Sequence, residues 1–211
     1  MRIAKEGRWY IVGAFIIGIL LLAISISIFT TSLLVISLTF LLLTIFMMIF
    51  FRDPDRKIAD GIVSPADGRV MEITRVKDRE VGDAHRITIF MNIWNVHVNR
   101  SPIDGRVVSI SHYYGKHLPA FFKNAIKNEH VVIVLETAIG KVKIVQIAGI
   151  VARRIVPYIR KGESIRKGER IGIIRFGSRV DLYLPASKTN IYVKENNLVK
   201  AGEDRIAEIR S

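Results

Sequence analysis

The sequence predicts a mainly β protein: a compact barrel- or sandwich-like domain with Lys-Gly-Glu hairpin turns, preceded by a two-helix transmembrane hairpin. Three observations predict it. Trp9 to Phe51 is a run of 43 residues without a charged side chain. Beyond it, short runs rich in β-branched and aromatic residues alternate with turn residues, the pattern of successive strands. Finally, turn motifs recur: Ser64-Pro-Ala-Asp-Gly-Arg-Val returns as Ser101-Pro-Ile-Asp-Gly-Arg-Val, and Arg160-Lys-Gly-Glu-Ser-Ile as Arg166-Lys-Gly-Glu-Arg-Ile.

The apolar run comes first. As one helix it would span about 65 Å at 1.5 Å per residue, roughly twice the hydrocarbon core of a bilayer. Two spans, Tyr10–Ile28 and Leu33–Phe51, fit better, with Phe29-Thr30-Thr31-Ser32 as the turn. Residues 1–51 thus form the anchor. Arg2, Lys5 and Arg8 precede the first span, and Arg52, Arg56 and Lys57 follow the second. By the positive-inside rule both ends, and the domain of residues 52–211, are expected on the cytoplasmic face. The run is too long for a cleaved signal peptide. Without a charged residue in either span it reads as an anchor and not as a transport pathway.

The chain carries a net charge of +13, and residues 52–211 hold 29 basic and 18 acidic side chains, a net +11. A basic domain can meet nucleic acid or an anionic membrane. The Lys and Arg residues are scattered, with no zinc spacing and no aromatic-interleaved basic motif, so no nucleic acid is expected and a lipid surface is. There is no cysteine, which excludes disulfides, thiolate metal sites and cysteine nucleophiles.

Pro54 ends the second span. Strand-like runs follow at Gly61–Val63, Arg69–Val76, Arg86–Asn92, Arg106–His112, Val131–Glu136, Val142–Ile150, Ile171–Arg175, Arg179–Leu184 and Asn190–Val193. Only Pro119–Asn128 reads as a short helix or ordered loop, its Phe121-Phe122 pair serving the core or an apolar pocket. The Pro-x-Asp-Gly segments carry turn chemistry, so Asp67 and Asp104 are equivalent and spacing does not choose between them. Similar Lys-Gly-Glu turns occur in the folded-over β modules of lipoyl and biotinyl carriers, but no lysine here has their modification setting.

Gly177-Ser178 lies between two strand-like runs. It can be a plain turn, or the place where Ser178 attacks the carbonyl of Gly177 and breaks the chain. Of the five histidines, His112 and His117 lack an evident acidic partner, and no metal is expected. His97, in Trp94-Asn-Val-His-Val-Asn-Arg-Ser-Pro, is the candidate proton shuttle near neutral pH. A serine hydrolase built from Ser178, His97 and Asp67 is a further reading, although the Gly-x-Ser-x-Gly elbow is missing. A third is a membrane-anchored β domain that binds anionic lipid and performs no chemistry.

Five segments now occur in one order: Phe51-Arg-Asp-Pro, Ser64-Pro-Ala-Asp-Gly, Asn95-Val-His-Val-Asn-Arg-Ser-Pro-Ile-Asp-Gly, Asn128-Glu-His and Phe176-Gly-Ser. In these the chain resembles the phosphatidylserine decarboxylases over roughly residues 50–185, in particular the short membrane-anchored form that includes the archaetidylserine decarboxylases. The resemblance implies a pyruvoyl-dependent carboxy-lyase made as an inactive precursor. Ser178 would attack Gly177, giving chains 1–177 and 178–211 that stay associated, with the pyruvoyl group at position 178. That group would form a Schiff base with a serine phospholipid and release CO2 and the ethanolamine lipid, with neither pyridoxal phosphate nor metal. By the same resemblance Asp67 is the acidic member of the self-cleavage machinery, His97 the proton donor or base, and the enzyme a homodimer. Many long-form members have a second histidine three residues after the first; here that position is Arg100.

Overall fold

The computed structural model describes residues 2–115, 127–149, 154–175 and 178–210. Most of the expected helix 119–128, the Phe121-Phe122 pair, His117 and Gly177 lie outside them. The chain divides into two compact units, Met1–Asp55 and Arg56–Ser211.

In the first unit, α1 (Arg8–Ser27) and α2 (Thr31–Phe50) are joined by a three-residue turn, one or two residues from the expected bounds. A short pair, β1 (Arg2–Ile3) and β2 (Arg52–Asp53), ties the chain start to the end of α2. Each helix has 20 residues, about 30 Å at 1.5 Å per residue, the thickness of a hydrocarbon core. Both are long and apolar enough to cross a membrane. Ser37 Oγ donates to the carbonyl of Gly18 at 2.8 Å. A Cβ on Gly18 would meet Leu41 Cδ2 at 3.0 Å, so this small residue sets the close approach of the helices.

The elements described in the second unit are all β-strands. Its strands are β3 (Ile62–Val63), β4 (Gly68–Asp78), β5 (Gly82–Met91), β6 (Val98–Arg100), β7 (Gly105–Tyr113), β8 (His130–Thr137) and β9 (Gly140–Ala148). They continue with β10 (Ile155–Pro157), β11 (Ser164–Ile165), β12 (Arg170–Ile174), β13 (Ser178–Pro185), β14 (Thr189–Ile191), β15 (Leu198–Val199) and β16 (Arg205–Ile209). An eight-stranded sheet, in the order β11-β7-β8-β9-β13-β5-β4-β15, curls into a half-barrel. Two three-stranded sheets, β10-β12-β6 and β14-β16-β3, complete the unit. Alternate residues of the large sheet point inward, as the two-residue period of a strand dictates. Ile87, Ile89 and Met91, Ile133 and Leu135, Val142 and Ile144, and Val180, Leu182 and Leu184 join one core with Ile171 and Ile174 of β12 and Ile206 of β16.

The repeated motifs are two copies of one substructure. Ser64 Oγ donates to the carbonyl of Ala66 at 2.7 Å, and Ser101 Oγ to that of Ile103 at 2.8 Å. Asp67 accepts the Ala201 N–H at 2.8 Å, and Asp104 accepts the Lys167 N–H at 2.7 Å. Each motif runs into a long strand with an irregularity at the same offset, Val70/Glu72 in β4 and Val107/Ser109 in β7. β15 and β16 stand to β4 and β3 as β11 and β12 stand to β7 and β6. One copy is therefore β6–β12 and the other is β3–β5 continued by β13–β16. The large sheet reads equivalently from either edge, about an axis through the facing pair Ile144 and Leu182.

Both Lys-Gly-Glu segments are tight turns. Gly162 and Gly168 have φ of 88° and 80°, where a Cβ would be strained. The N–H groups of Glu163 and Glu169 donate to the carbonyls of Arg160 and Arg166, and the two carboxylates return to the N–H groups of the same arginines. The strands on either side of each turn pair elsewhere: β10 with β12, β11 with β7 and β12 with β6.

The copies differ at one junction. In β6–β12 a short turn, Thr137 to Gly140, joins β8 to β9. The equivalent junction, β5 to β13, places Met91 directly opposite Ser178, with residues 92–177 between them. The β6–β12 copy sits where the split copy would have its hairpin turn.

Candidate active site

Ser178 is the first residue of β13 and pairs with Met91 of β5 on one side and Ala148 of β9 on the other. It is fully buried, and its Oγ has no hydrogen-bond partner among the described residues. Strands on both sides fix its backbone. Ala148 is fixed in turn: its carbonyl accepts from Asn128 Nδ2 at 2.8 Å, and its N–H donates to the carbonyl of Glu129 at 2.9 Å. The Asn128-Glu-His segment therefore clamps the strand that flanks Ser178. Gly177 lies outside the described residues.

His97, one residue before β6, is also fully buried. Its Nδ1 lies 2.9 Å from the carbonyl oxygen of Asn95. A carbonyl can only accept, so Nδ1 carries the hydrogen and the basic lone pair of the neutral ring is on Nε2. A buried amide pair links this segment to the serine. Gln146 Nε2 donates to Asn99 Oδ1 at 2.7 Å, and Asn99 Nδ2 contacts Met91 Sδ at 3.6 Å. Met91 is the strand partner of Ser178, and Gln146 shares a strand face with Ala148. Sequence reasoning marked neither amide. Neither carries a local signal, since β9 also holds Lys141 and Lys143 and Gln146 does not stand out among them.

Asp67 lies at the same end of the sheet. Arg69, Phe90 and Arg179 form one row across β4, β5 and β13, which puts Asp67 two strand spacings, roughly 10 Å, from the Ser178 strand. Its carboxylate is held by Arg56, whose Nη2 lies 3.0 and 2.9 Å from the two oxygens, and by the Ala201 N–H. Arg56 also reaches Glu203 at 3.1 Å. Asp104, its repeat counterpart, is exposed. The two aspartates, equivalent by spacing, thus differ in burial and in the Arg56 pair. An Arg56→Met substitution would leave a buried carboxylate without its cation, which costs about 3–5 kcal/mol. Denaturant unfolding of the variant should show that loss, and Arg56→Met combined with Asp67→Leu should recover most of it. Equal destabilisation in the single and double variants would refute the pairing.

The phosphatidylserine decarboxylase family profile matches residues 43–207. The chain belongs to that family. It is 50% identical over 158 residues to a phosphatidylserine decarboxylase proenzyme of Streptomyces griseus, covering 74% of this chain and 71% of the relative. It is 47% identical over 162 residues to a putative archaetidylserine decarboxylase proenzyme of Methanococcoides burtonii, covering 75% and 73%. A second archaeal relative of that description, from Methanosarcina mazei, is 44% identical over 167 residues, covering 78% and 76%. The protein is a decarboxylase, a carboxy-lyase.

This phosphatidylserine decarboxylase family member has Arg100 where many long-form members have a second histidine. Its Nη1 donates to the carbonyl of Gly168 at 2.8 Å and its backbone N–H to that of Pro65 at 2.9 Å, joining one Lys-Gly-Glu turn to the Asp67 loop. His112, for which the sequence offered no acidic partner, has one: its Nε2 lies 2.9 Å from Glu129 Oε1. Glu129 is distant in sequence and reaches His112 through the pairing of β7 with β8. Directly after Ser178, Arg179 makes a bidentate pair with Asp181, both contacts at 2.6 Å. Burial works against the Arg179 charge, but the hydrogen bond and attraction of Asp181 outweigh it and raise its pKa.

Proposed function

We propose that this decarboxylase is made as a precursor, cuts itself between Gly177 and Ser178, and uses a pyruvoyl group derived from Ser178 to decarboxylate a membrane lipid with a serine headgroup. The observation that carries the reading is Ser178 itself: a buried hydroxyl without a hydrogen-bond partner among the described residues, held by strands on both sides at the junction where the other copy has a plain turn. Position 178 suits such a group, because its oxygen has no hydrogen-bond partner among the described residues and its backbone is fixed by β5 and β9.

In this reading Ser178 Oγ adds to the Gly177 carbonyl, and the amide becomes an ester. Loss of the Ser178 α-proton then expels chain 1–177 as a carboxylate. The residue left behind tautomerises and hydrolyses to the pyruvoyl group, with release of ammonia. Once present, that group supplies an electron-accepting carbonyl that reacts with the headgroup amine, the chemistry pyridoxal supplies elsewhere. His97 Nε2 takes the proton from Ser178 and returns one to the substrate α-carbon after CO2 departs. Asp67 is the acidic member of the cleavage machinery, oriented by Arg56 and the Ala201 N–H.

Chain 178–211 stays in place through β13, β15 and β16, which pair with β5 and β9, with β4 and with β3 of the longer chain. The hairpin holds the domain at the membrane, with both chain ends on the cytoplasmic face by their basic flanks. Relatives named for phosphatidylserine and for archaetidylserine favour a serine lipid with either tail chemistry.

The test is an intact mass under denaturing conditions, before and after a carbonyl-reactive hydrazine. A fragment of residues 178–211 lighter than its serine-headed form by one ammonia, and shifted by the hydrazine, is the expected result. A single uncut chain after prolonged mild warming would sink the reading.

A further inference from the structure

We propose that the Ser178 end of the large sheet docks on the surface of an anionic phospholipid bilayer, with the Ile93-Trp94 turn entering the headgroup region. Met91 is the strand partner of Ser178, and the chain then makes a tight turn. That turn is built, not loose. Asn92 N–H donates to Asn95 Oδ1 and Trp94 N–H to Asn92 Oδ1, both at 2.8 Å, and Asn95 N–H to the Asn92 carbonyl at 3.1 Å. At its tip this rigid turn holds Ile93 and Trp94 43% and 58% exposed.

The same end of the sheet carries further exposed apolar side chains. Consecutive strand pairs line up Tyr113, His130, Ile147, Arg179, Phe90, Arg69 and Leu198 as one row beside Ser178. Leu198 at one edge is 72% exposed, and Tyr113 at the other is followed by Tyr114, 86% exposed. Exposed Lys127 lies next to the Asn128 clamp, and the carbonyl of exposed Arg154 accepts the N–H of Arg175, close in sequence to Ser178. At the opposite end, the turns Asp78–Gly82 and Thr137–Gly140 show solvent charged or small groups and no large apolar side chain.

Water does not favour a fixed Trp and Ile at a turn tip, whereas the membrane interface does. The indole and phenol rings match its apolar and wet sides, and Lys and Arg match anionic headgroups. A bilayer is favoured over a protein groove because the apolar groups are spread along one rim around Ser178 rather than gathered in one patch. Docking there would place the lipid headgroup zone next to the reactive strand end. The inference deepens the lipid-decarboxylase reading, but its test does not depend on that chemistry.

The chain has two tryptophans, Trp9 and Trp94. In a Trp9→Phe variant of the full chain, reconstituted in anionic phospholipid vesicles, Trp94 reports alone. Interfacial groups settle about 5–10 Å into the headgroup–acyl boundary. Lipids brominated on their chains should therefore quench Trp94 emission, and aqueous acrylamide should quench it less than in the detergent-unfolded chain. Emission indifferent to brominated lipid overturns the proposal, and acrylamide protection without bromine quenching would instead mean burial against protein. Should Trp9→Phe fold poorly, the difference between wild type and Trp94→Phe gives the same reading. Trp94→Asp should raise KM for serine lipid in vesicles while leaving chain cleavage intact. Loss of cleavage in the wild type would bear on the proposed chemistry and leave the quenching result standing.

Discussion

A Ser178→Ala chain should accumulate uncut, fold at least as stably as the precursor, and show no decarboxylation. The chemical half follows from the hydroxyl: without it there is no nucleophile for the Gly177 carbonyl and no leaving group for the elimination. The stability half follows from the geometry. Ser178 Oγ is buried and lacks a hydrogen-bond partner among the described residues. A buried unsatisfied polar group costs about 1–3 kcal/mol, so its removal should be neutral or stabilising. Gel mobility, CO2 release and the thermal midpoint, measured on one preparation, check all three points. An uncut variant that still releases CO2 would refute the pyruvoyl reading. A lowered midpoint would show that the hydroxyl is a structural group.

The second large effect is expected at His97. His97→Asn keeps a side-chain N–H near the position of Nδ1, able to donate to the Asn95 carbonyl, but removes the lone pair of Nε2. Proton transfer by a positioned side chain contributes roughly 10²–10⁴-fold, and turnover should fall by that much. Self-cleavage should slow as well, because Nε2 is the base proposed to take the Ser178 proton. A time course of the 178–211 fragment, beside turnover per cleaved chain, separates the two steps. Cleavage at the wild-type rate with turnover lost would confine His97 to decarboxylation and return the first step to Asp67.

What could be read in the sequence follows the strength of local patterning. The long strands β4, β5, β7, β8, β9 and β13 announced themselves through β-branched residues with a two-residue period. β6 did not. Val98-Asn99-Arg100 holds two polar residues that are nevertheless buried, since Asn99 is paired with Gln146 and Arg100 with the carbonyl of Gly168. β11 and β15 are two residues long and exist only because a long strand lies beside them. The repeated Pro-x-Asp-Gly motif was visible, but that one copy is split around the other was not. No local signal marks a strand pairing that skips from residue 91 to residue 178. For the same reason Ser178 and His97 were legible as motif residues, whereas Asn99, Gln146 and Arg56 emerge only from contacts between distant segments.

The split copy also bears on the order of folding. β6–β12 is contiguous in sequence, and its β8–β9 hairpin closes a loop of a few residues. β13 can settle only after β5, made much earlier, and β9, from the inserted copy, are both in place to receive it. Closing long loops slows assembly more than it weakens the product. Ser178 thus reaches its buried position late, when both flanking strands have formed. A chain that activates itself there would do so only once it is fully built, and the appearance of the short fragment would serve as a clock for completed folding.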